Sequence, residues 1–305
     1  MSARLLLLCP GQGGQHEGMN TMAAADPTAA AFLARNTLPP GDLFDNRVAQ
    51  PAVVAATLAM WLALAPRLAA LRLAPALVAG YSVGELAAYG VAGAFSVDDT
   101  VALAHRRAEM MNAAAADGGQ TLAALGGLPI KQAVALATTA GWAIAIINGE
   151  DSVVAGGPAA SLDDLQVRVS QAGGRLQPLP VTVAAHTPLL AAAVAPFAAA
   201  LAELPFAPPA YPVLAGVDAT TISGRSAQPA AITALSRQLA DTIRWADCMD
   251  AAAEAGITIA LELGPGAALA RMLQARHPGI ACRSVAEFRS LDGVAAWLSR
   301  QCGRD

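Results

Sequence analysis

Apolar and polar positions alternate along the first third of the chain in a way that predicts strands and helices in turn. The predicted elements are strands at residues 4–9 and 76–80 and helices at residues 50–72, 84–92 and 97–115. We expect the first helix to break or kink near Pro66, and the last to begin at Asp98 or Asp99 as its N-cap. Such alternation is typical of a parallel sheet covered by helices on both faces.

The middle of the chain follows a different order. It predicts, in turn, a strand at 121–128, a helix at 130–140, strands at 142–147 and 152–156, a helix at 160–172 and a strand at 175–183. The order β-α-β-β-α-β is that of a ferredoxin-like unit, so we expect a small inserted subdomain at residues 119–184. The large subdomain then comprises residues 1–118 and 185–305. Its second part is predicted to hold helices at 189–204 and 232–244, an extended segment at 212–217 and a strand at 257–263.

Composition narrows the class of protein. The chain has 305 residues, of which 55% are apolar and 14% are charged, and its net charge is −4. This balance fits a large globular core and argues against a disordered chain or a nucleic-acid-binding protein. Four cysteines lie far apart without a CxxC pair, so we expect no disulfide framework and a cytoplasmic location.

Three apolar stretches need to be weighed as export or membrane segments. The first strand ends at Pro10 and is too short for the apolar region of a signal peptide. Residues 53–65 end at Pro66 and Arg67, and residues 183–204 contain two prolines. Because none offers the roughly 20 clean apolar residues of a membrane span, we expect no membrane partner.

The sequence Gly80-Tyr81-Ser82-Val83-Gly84 lies between a predicted strand and a predicted helix. A Gly-x-Ser-x-Gly turn in this context is typical of a nucleophile elbow, which projects the serine hydroxyl from the end of the sheet. The N–H of Val83 would lie at a helix N-terminus, where it can stabilise a developing oxyanion. The pattern predicts acyl chemistry at Ser82, and an ordinary glycine–serine turn is the alternative that it leaves open.

A serine nucleophile needs a base, and the chain has four histidines. His186 is favoured because it lies where the small subdomain rejoins the large one, and ligands often bind between domains. A structural histidine is the alternative at that position. His16 follows a glycine-rich loop and is a second candidate, whereas His105 lies on a predicted helix and His277 in a predicted turn.

The glycine-rich loop Gly11-Gln12-Gly13-Gly14-Gln15 follows the first predicted strand. Glycines in such a loop allow the backbone to approach a ligand closely. No Gly-Lys-Ser/Thr follows, so the loop is not a phosphate loop of the Walker type. For the glycines alone, a simple tight turn is the favoured interpretation.

Six motifs occur in a fixed order along residues 5–290. They are Pro10-Gly11-Gln12-Gly13-Gly14-Gln15, Gly80-Tyr81-Ser82-Val83-Gly84-Glu85, Arg107 with Met111, Asn148, His186-Thr187-Pro188 and Glu262-Leu263-Gly264-Pro265-Gly266. In this order they resemble the malonyl-CoA:acyl-carrier-protein transacylases. The resemblance implies an α/β fold, with an α/β-hydrolase-like parallel-sheet core and an inserted ferredoxin-like subdomain.

By this resemblance Ser82 is the nucleophile and His186 the general base. A backbone carbonyl takes the place of an acidic third residue, and the matching segment is 242–245. With an ordinary histidine pKa of ~6.5, acylation should accelerate as the base loses its proton near that pH. The oxyanion hole is similar to one formed by the backbone N–H groups of Val83 and Gln12.

Arg107 matches the arginine that binds the malonyl carboxylate in this family. A planar guanidinium suits such bidentate binding, although from the residues alone Arg107 reads as an ordinary helix-surface arginine. The resemblance implies malonyl-CoA as substrate, an acyl carrier protein as partner, and no metal or other cofactor.

Two positions depart from the family pattern. Tyr81 stands where the fatty-acid enzymes usually carry histidine, and Ala185 stands where relatives carry serine or phenylalanine, which leaves selectivity against methylmalonyl open. The Gly-Tyr-Ser-Val-Gly-Glu-Leu form most resembles the malonyltransferase (epsilon) subunit of bacterial malonate decarboxylase, whose other subunits would be further partners. The alternatives are a fatty-acid-synthesis malonyl transacylase, a serine thioesterase or hydrolase, and a non-catalytic carrier-docking subunit.

Overall fold

Helices and strands alternate along residues 3–115 and 118–303, the part of the chain that the computed structural model describes. The α-helices there are α1 (Pro27–Arg35), α2 (Asn46–Ala70), α3 (Val83–Val91), α4 (Val97–Ala114), α5 (Ile130–Thr139), α6 (Leu162–Gln171), α7 (Ala191–Ala202), α8 (Ala227–Arg237), α9 (Trp245–Glu254), α10 (Ala268–Arg276) and α11 (Leu291–Gln301). The strands are β1 (Leu5–Cys9), β2 (Pro75–Gly80), β3 (Gln120–Gly126), β4 (Ala143–Gly149), β5 (Ser152–Pro158), β6 (Arg175–Pro178), β7 (Val213–Leu214), β8 (Thr221–Ile222), β9 (Ile259–Glu262) and β10 (Ala281–Ser284).

The larger sheet has the strand order β10-β9-β1-β2-β7-β8. Its neighbours are parallel except β7 and β8, which confirms the predicted α/β fold with a parallel sheet. All five residues of the central strand β1 are buried, as expected for a strand covered on both faces. Cys9 pairs with Gly80 where β1 and β2 end, so the loops that follow these strands leave the same edge of the sheet.

Helix α2 is longer and more continuous than its apolar pattern predicts. It begins after Asp45, whose carboxylate accepts a hydrogen bond of 2.8 Å from the N–H of Arg47. The helix runs through Pro51 and Pro66, so the predicted break near Pro66 is wrong. Burial of α2 against the neighbouring helices α1, α3 and α4 outweighs the roughly 3 kcal/mol that an internal proline costs. By length and composition α2 could cross a membrane, but 83% of its apolar window is buried inside the protein, as in a core helix.

Helix α4 begins after Ser96 and not after either predicted cap. The Ser96 hydroxyl accepts a hydrogen bond of 3.0 Å from the N–H of Asp99. Asp98 and Asp99 lie in the first turn, where negative charge is favoured by the helix dipole. The prediction named the acidic residues of the first turn and missed the cap just before them.

Several other boundaries differ from the predictions. The predicted strand 175–183 ends at Pro178, and the predicted helix 232–244 is α8, which ends at Arg237. Sequence analysis missed the elements α1, β8, α9, α10, β10 and α11. The missed strands have two and four residues, too few for an alternating pattern to be recognised.

A second sheet is antiparallel and has the strand order β4-β5-β3-β6. Its elements follow one another as β-α-β-β-α-β within residues 119–184, as the pattern predicts. Its apolar cluster, which runs from Ala123 to Val169, is separate from the main core. Two main-chain hydrogen bonds of 2.9 Å join β4 to the rest of the protein, from Ile243 N–H to Ala145 O and from Ile147 N–H to Ile243 O.

Candidate active site

Strand β2 and helix α3 meet at a sharp turn that holds Ser82. Its backbone has φ 56° and ψ −122°, a conformation that non-glycine residues rarely adopt. A Cβ at Gly80 would overlap the backbone of Gly84, and a Cβ at Gly84 would overlap the carbonyl oxygen of Cys9. Glycine on both sides therefore allows the close approach of β1, β2 and α3, and the turn has the geometry of a nucleophile elbow.

Ser82 and His186 form a hydrogen-bonded pair, with 2.8 Å between Ser82 Oγ and His186 Nε2. On its other side the ring contacts the carbonyl oxygen of Gln238, 2.5 Å from His186 Nδ1. Because a carbonyl only accepts, the hydrogen-bond network assigns the ring proton to Nδ1. Nε2 is then the acceptor for the serine hydroxyl proton, which is the arrangement that a general base requires.

Two expectations about the surroundings of His186 are wrong. The strand predicted to lead to it ends at Pro178, and His186 lies in a loop with a φ of 64°. The carbonyl that holds its ring belongs to Gln238 and not to segment 242–245. Helix α8 ends just before Gln238 and the chain turns toward the histidine there, whereas segment 242–245 lies beside β4.

Burial changes the acid–base chemistry of His186. Desolvation, helped by the positive charge of Arg107, lowers the pKa of His186 to about 3, although the hydrogen bond to Gln238 opposes this change. The ordinary histidine pKa of ~6.5 that was assumed from the sequence therefore does not apply. The ring is neutral, and able to accept a proton, throughout the physiological pH range.

The backbone around the elbow offers donors for an oxyanion. Val83 is the first residue of α3, so its N–H has no acceptor within the helix. The loop after β1 lies against the same turn, because a Cβ at Gly11 would be 3.5 Å from the Cβ of Ser82. Gln12 is the next residue of that loop and is half-buried. The structure thus brings both predicted oxyanion-hole residues to the end of the sheet that carries Ser82.

Arg107 is a core residue, with only 1% of its surface exposed. Its Nη1 donates to Gln50 Oε1 at 2.7 Å and its Nη2 donates to Gln238 Oε1 at 3.0 Å. Desolvation lowers the pKa of Arg107 to about 10, against the opposing charge of Glu85, so the guanidinium stays charged at neutral pH. Both acceptors are neutral amides, and within residues 3–115 and 118–303 the guanidinium makes no third hydrogen bond.

Sequence analysis missed three residues that support this arginine. Gln50 and Gln238 supply the two amide oxygens, and Gln238 also touches His186 through its backbone. Glu85 is fully buried and accepts from Gly216 N–H at 2.9 Å and from Gln238 Nε2 at 2.5 Å. Desolvation raises the pKa of Glu85 to about 7. Of the three, only Glu85 had a signal in the sequence, because it lies inside the elbow motif.

Tyr81 links the elbow to the smaller sheet. Its hydroxyl donates to Asn148 Oδ1 at 3.1 Å, and its ring packs edge-on against Trp245 at a centroid distance of 5.4 Å. Asn148 lies on β4, and its predicted place in the motif set agrees with this contact. The site is therefore built from both sheets.

His16, the second candidate base, lies elsewhere. It is exposed and lines a cavity of about 530 Å³ formed by α2 and by the loops that follow β1, β9 and β10. Neither Ser82 nor His186 lines that cavity. The structure therefore brings His186, and not His16, to the serine.

Known proteins that are similar to this chain are acyl transferases. The acyl transferase domain family matches residues 36–287. The malonyl CoA-acyl carrier protein transacylase of Mycobacterium bovis is 34% identical over 305 residues, covering 95% of this chain and 99% of that protein. The crystal structure of malonyl-CoA:acyl carrier protein transacylase from Xanthomonas oryzae has a TM-score of 0.87 at 30% identity, covering 98% of this chain and 99% of that one. A malonyl-transacylase solved in complex with its type II PKS acyl-carrier protein has a TM-score of 0.88 at 25% identity, covering 96% of this chain and 99% of that one.

Fold and site together define an acyltransferase with a serine–histidine pair. Within that class the chain belongs to the malonyl-CoA:acyl-carrier-protein transacylase family. The family resemblance predicted from the six motifs is confirmed at this level.

Proposed function

We propose that this protein transfers a malonyl group from malonyl-CoA to the thiol of an acyl carrier protein through a malonyl-serine intermediate. One observation carries the proposal: Gln238 touches both halves of the site, since its carbonyl holds His186 and its side chain holds the buried cation Arg107. The same residue therefore positions the general base and the group that would bind a carboxylate. That combination suits an acyl group that ends in a carboxylate.

The reaction follows from the geometry of the pair. His186 Nε2 takes the proton of Ser82 as the oxygen attacks the thioester carbonyl. The N–H groups of Val83 and Gln12 stabilise the negative charge that develops on the carbonyl oxygen. His186 then gives its proton to the departing CoA sulfur. The carrier thiol enters and the same steps run in reverse.

Arg107 selects the acyl group in this scheme. A malonyl carboxylate must leave water to enter a buried site, and a cation offsets the free-energy cost of that transfer. The two amides that hold the guanidinium carry no charge, so they orient the arginine without neutralising it.

The acyl carrier protein is the expected partner, as it is for the relatives named above. We further propose that the carrier is that of malonate decarboxylase, on the strength of the Gly-Tyr-Ser-Val-Gly-Glu-Leu form of the elbow. In this structure its tyrosine donates a hydrogen bond to Asn148 on β4. Fatty-acid synthesis is the alternative setting. To separate these roles, the malonyl-enzyme is offered two carriers, one with phosphopantetheine and one with the malonate-decarboxylase prosthetic group. The carrier that receives the malonyl group faster identifies the role.

The architecture belongs to the same proposal. We propose an α/β-hydrolase-like large subdomain, residues 1–118 and 185–305, and a ferredoxin-like small subdomain, residues 119–184. The separate apolar cluster of the small unit and its β-α-β-β-α-β order support this division.

Trapping the acyl-enzyme tests the activity. Brief mixing with malonyl-CoA, followed by digestion and mass spectrometry, should place a malonyl mass on the peptide that contains Ser82. The Ser82→Ala variant should take up no label and keep its fold by circular dichroism. Label on a cysteine, or none at all, would sink the mechanism, and rapid release of free malonate would favour a hydrolase.

A further inference from the structure

Two opposite charges are buried beneath the serine–histidine pair and are joined through one amide. Gln238 Oε1 accepts from Arg107 Nη2 at 3.0 Å, while Gln238 Nε2 donates to Glu85 Oε2 at 2.5 Å. Glu85 has no exposed surface and Arg107 has 1%. The mechanism described above uses Arg107 but assigns no role to Glu85.

The carboxylate of Glu85 is only half satisfied. Its Oε2 accepts from Gly216 N–H and from Gln238, whereas its Oε1 is buried without a hydrogen-bond partner among the described residues. An unpartnered carboxylate oxygen in an apolar setting favours the protonated form. Oε1 is therefore the place where a proton would bind.

Among the described charged groups around Glu85, Arg107 is the one that stabilises its ionised form. Arg107 on α4 favours the carboxylate, while Asp218, in the loop after β7, disfavours it. Desolvation, with a smaller contribution from the negative charge of Glu85, raises the pKa values of Tyr89 on α3 and Cys248 on α9, so both groups are neutral. Among these groups of the described chain, Arg107 alone offsets the charge of Glu85.

A malonyl carboxylate at Arg107 would change this balance, on the proposed function. Two buried anions would then share one cation. When like charges share a site, one of them is driven to take up a proton. The malonyl group is a weaker candidate, because its carboxylate receives the arginine N–H groups directly.

We propose that binding of the malonyl carboxylate at Arg107 is coupled to uptake of one proton from solvent by Glu85. The site passes from an arginine–glutamate pair to an arginine–malonate pair beside a neutral Glu85, so its net charge is unchanged. An acyl group without a carboxylate leaves Glu85 ionised and takes up no proton. Glu85 is thus a positioning residue whose protonation accompanies the choice of substrate.

Proton counting tests this inference on the unmodified protein. Protein at pH 8 in dilute buffer with a pH-indicator dye is mixed with one equivalent of malonyl-CoA or acetyl-CoA, and mass spectrometry counts acyl-Ser82 in the same samples. Since a pKa of about 7 leaves free Glu85 mostly ionised at pH 8, malonyl-enzyme should take up on the order of 0.5–1 proton more than acetyl-enzyme. Acyl transfer from CoA to serine releases the same CoA thiol in both cases, so its contribution cancels.

Two variants test whether Glu85 is the residue that takes up the proton. Glu85→Gln should form malonyl-enzyme without uptake, whereas Tyr89→Phe, which removes the neighbouring buried hydroxyl, should keep it. Between pH 7 and 9, kcat/KM for malonyl-CoA should fall by up to about tenfold per pH unit in the unmodified protein and stay level in Glu85→Gln. If Glu85→Gln does not fold, the comparison of the two thioesters stands alone.

These experiments distinguish failure of the proton coupling from failure of the proposed function. Full malonylation of Ser82 with equal proton counts for the two thioesters would overturn the coupling and leave the proposed function intact. Failure to form malonyl-Ser82 would overturn the proposed function, and the coupling with it.

Discussion

At the scale of single residues, the proposed function makes the buried Arg107 the residue that determines substrate class. Removing one partner of a buried charge pair costs about 2–5 kcal/mol. Arg107→Ala should therefore lower kcat/KM for malonyl-CoA by roughly 30- to several-thousand-fold, and that for acetyl-CoA far less. Steady-state assays with both thioesters check this.

The adjacent arginine provides the matched control for that experiment. Arg106 lies on the same helix but is partly exposed and pairs with Glu203 at 2.9 Å. Arg106→Ala should change either activity by no more than about twofold, since exposed ion pairs contribute little. Equal losses for the two thioesters in Arg107→Ala would mean that Arg107 supports the fold or the CoA moiety instead.

His186 gives a prediction about pH. Its pKa is lowered to about 3, so the base is already deprotonated well below neutrality. Single-turnover acylation by malonyl-CoA should stay level from pH 6.5 down to about 5, where a histidine with its ordinary pKa would slow the reaction more than tenfold. His186→Ala should slow acylation by about two to four orders of magnitude at every pH. A fall in rate centred near pH 6.5 would contradict the depressed pKa.

At the scale of elements, the elbow depends on the absence of a side chain at Gly84. A Cβ there would overlap the main chain of Cys9 at the end of the central strand. Gly84→Ala should lower the free energy of unfolding by about 2–3 kcal/mol or more and abolish acylation. Gly279→Ala, where a Cβ meets nothing within 4 Å, should change stability by less than about 0.5 kcal/mol. Urea denaturation with parallel acylation assays measures both, and equal effects would show that space at the elbow is not limiting.

At the scale of the whole molecule, the separate core of the small unit predicts partly independent stability. Leu165 on α6 is fully buried within that core, and Leu273 on α10 is fully buried in the main core. Leu165→Ala should lower the free energy of unfolding of the small unit by about 2–5 kcal/mol. Amide hydrogen exchange should therefore become faster mainly within residues 119–184. Leu273→Ala should instead speed exchange in β9 and β10. If the exchange rate increased uniformly along the chain in either variant, the protein would be a single cooperative unit.

The amino-acid sequence by itself determined the features that depend only on interactions between residues close together in the chain. The apolar run Leu5–Cys9 predicts a buried strand, and the glycines around Ser82 predict an elbow, because each of these structures depends on only a few consecutive residues. The β-α-β-β-α-β order was predictable for the same reason, since each element carries its own periodicity. Ser82 was predicted from the elbow pattern, His186 was favoured because it lies where the two subdomains join, and the role of Arg107 came from the family resemblance. The structure brings the three residues together.

Only the tertiary structure decided how these residues act. The carbonyl that orients His186 comes from Gln238, 52 residues away, and the same residue reaches Arg107, 131 residues away. Burial turned an apparent surface arginine into a buried cation, lowered the pKa of His186, and allowed α2 to continue past Pro66 without a break. Desolvation and hydrogen bonding of this kind depend on what surrounds a side chain from distant parts of the chain, and no pattern along the sequence contains that information.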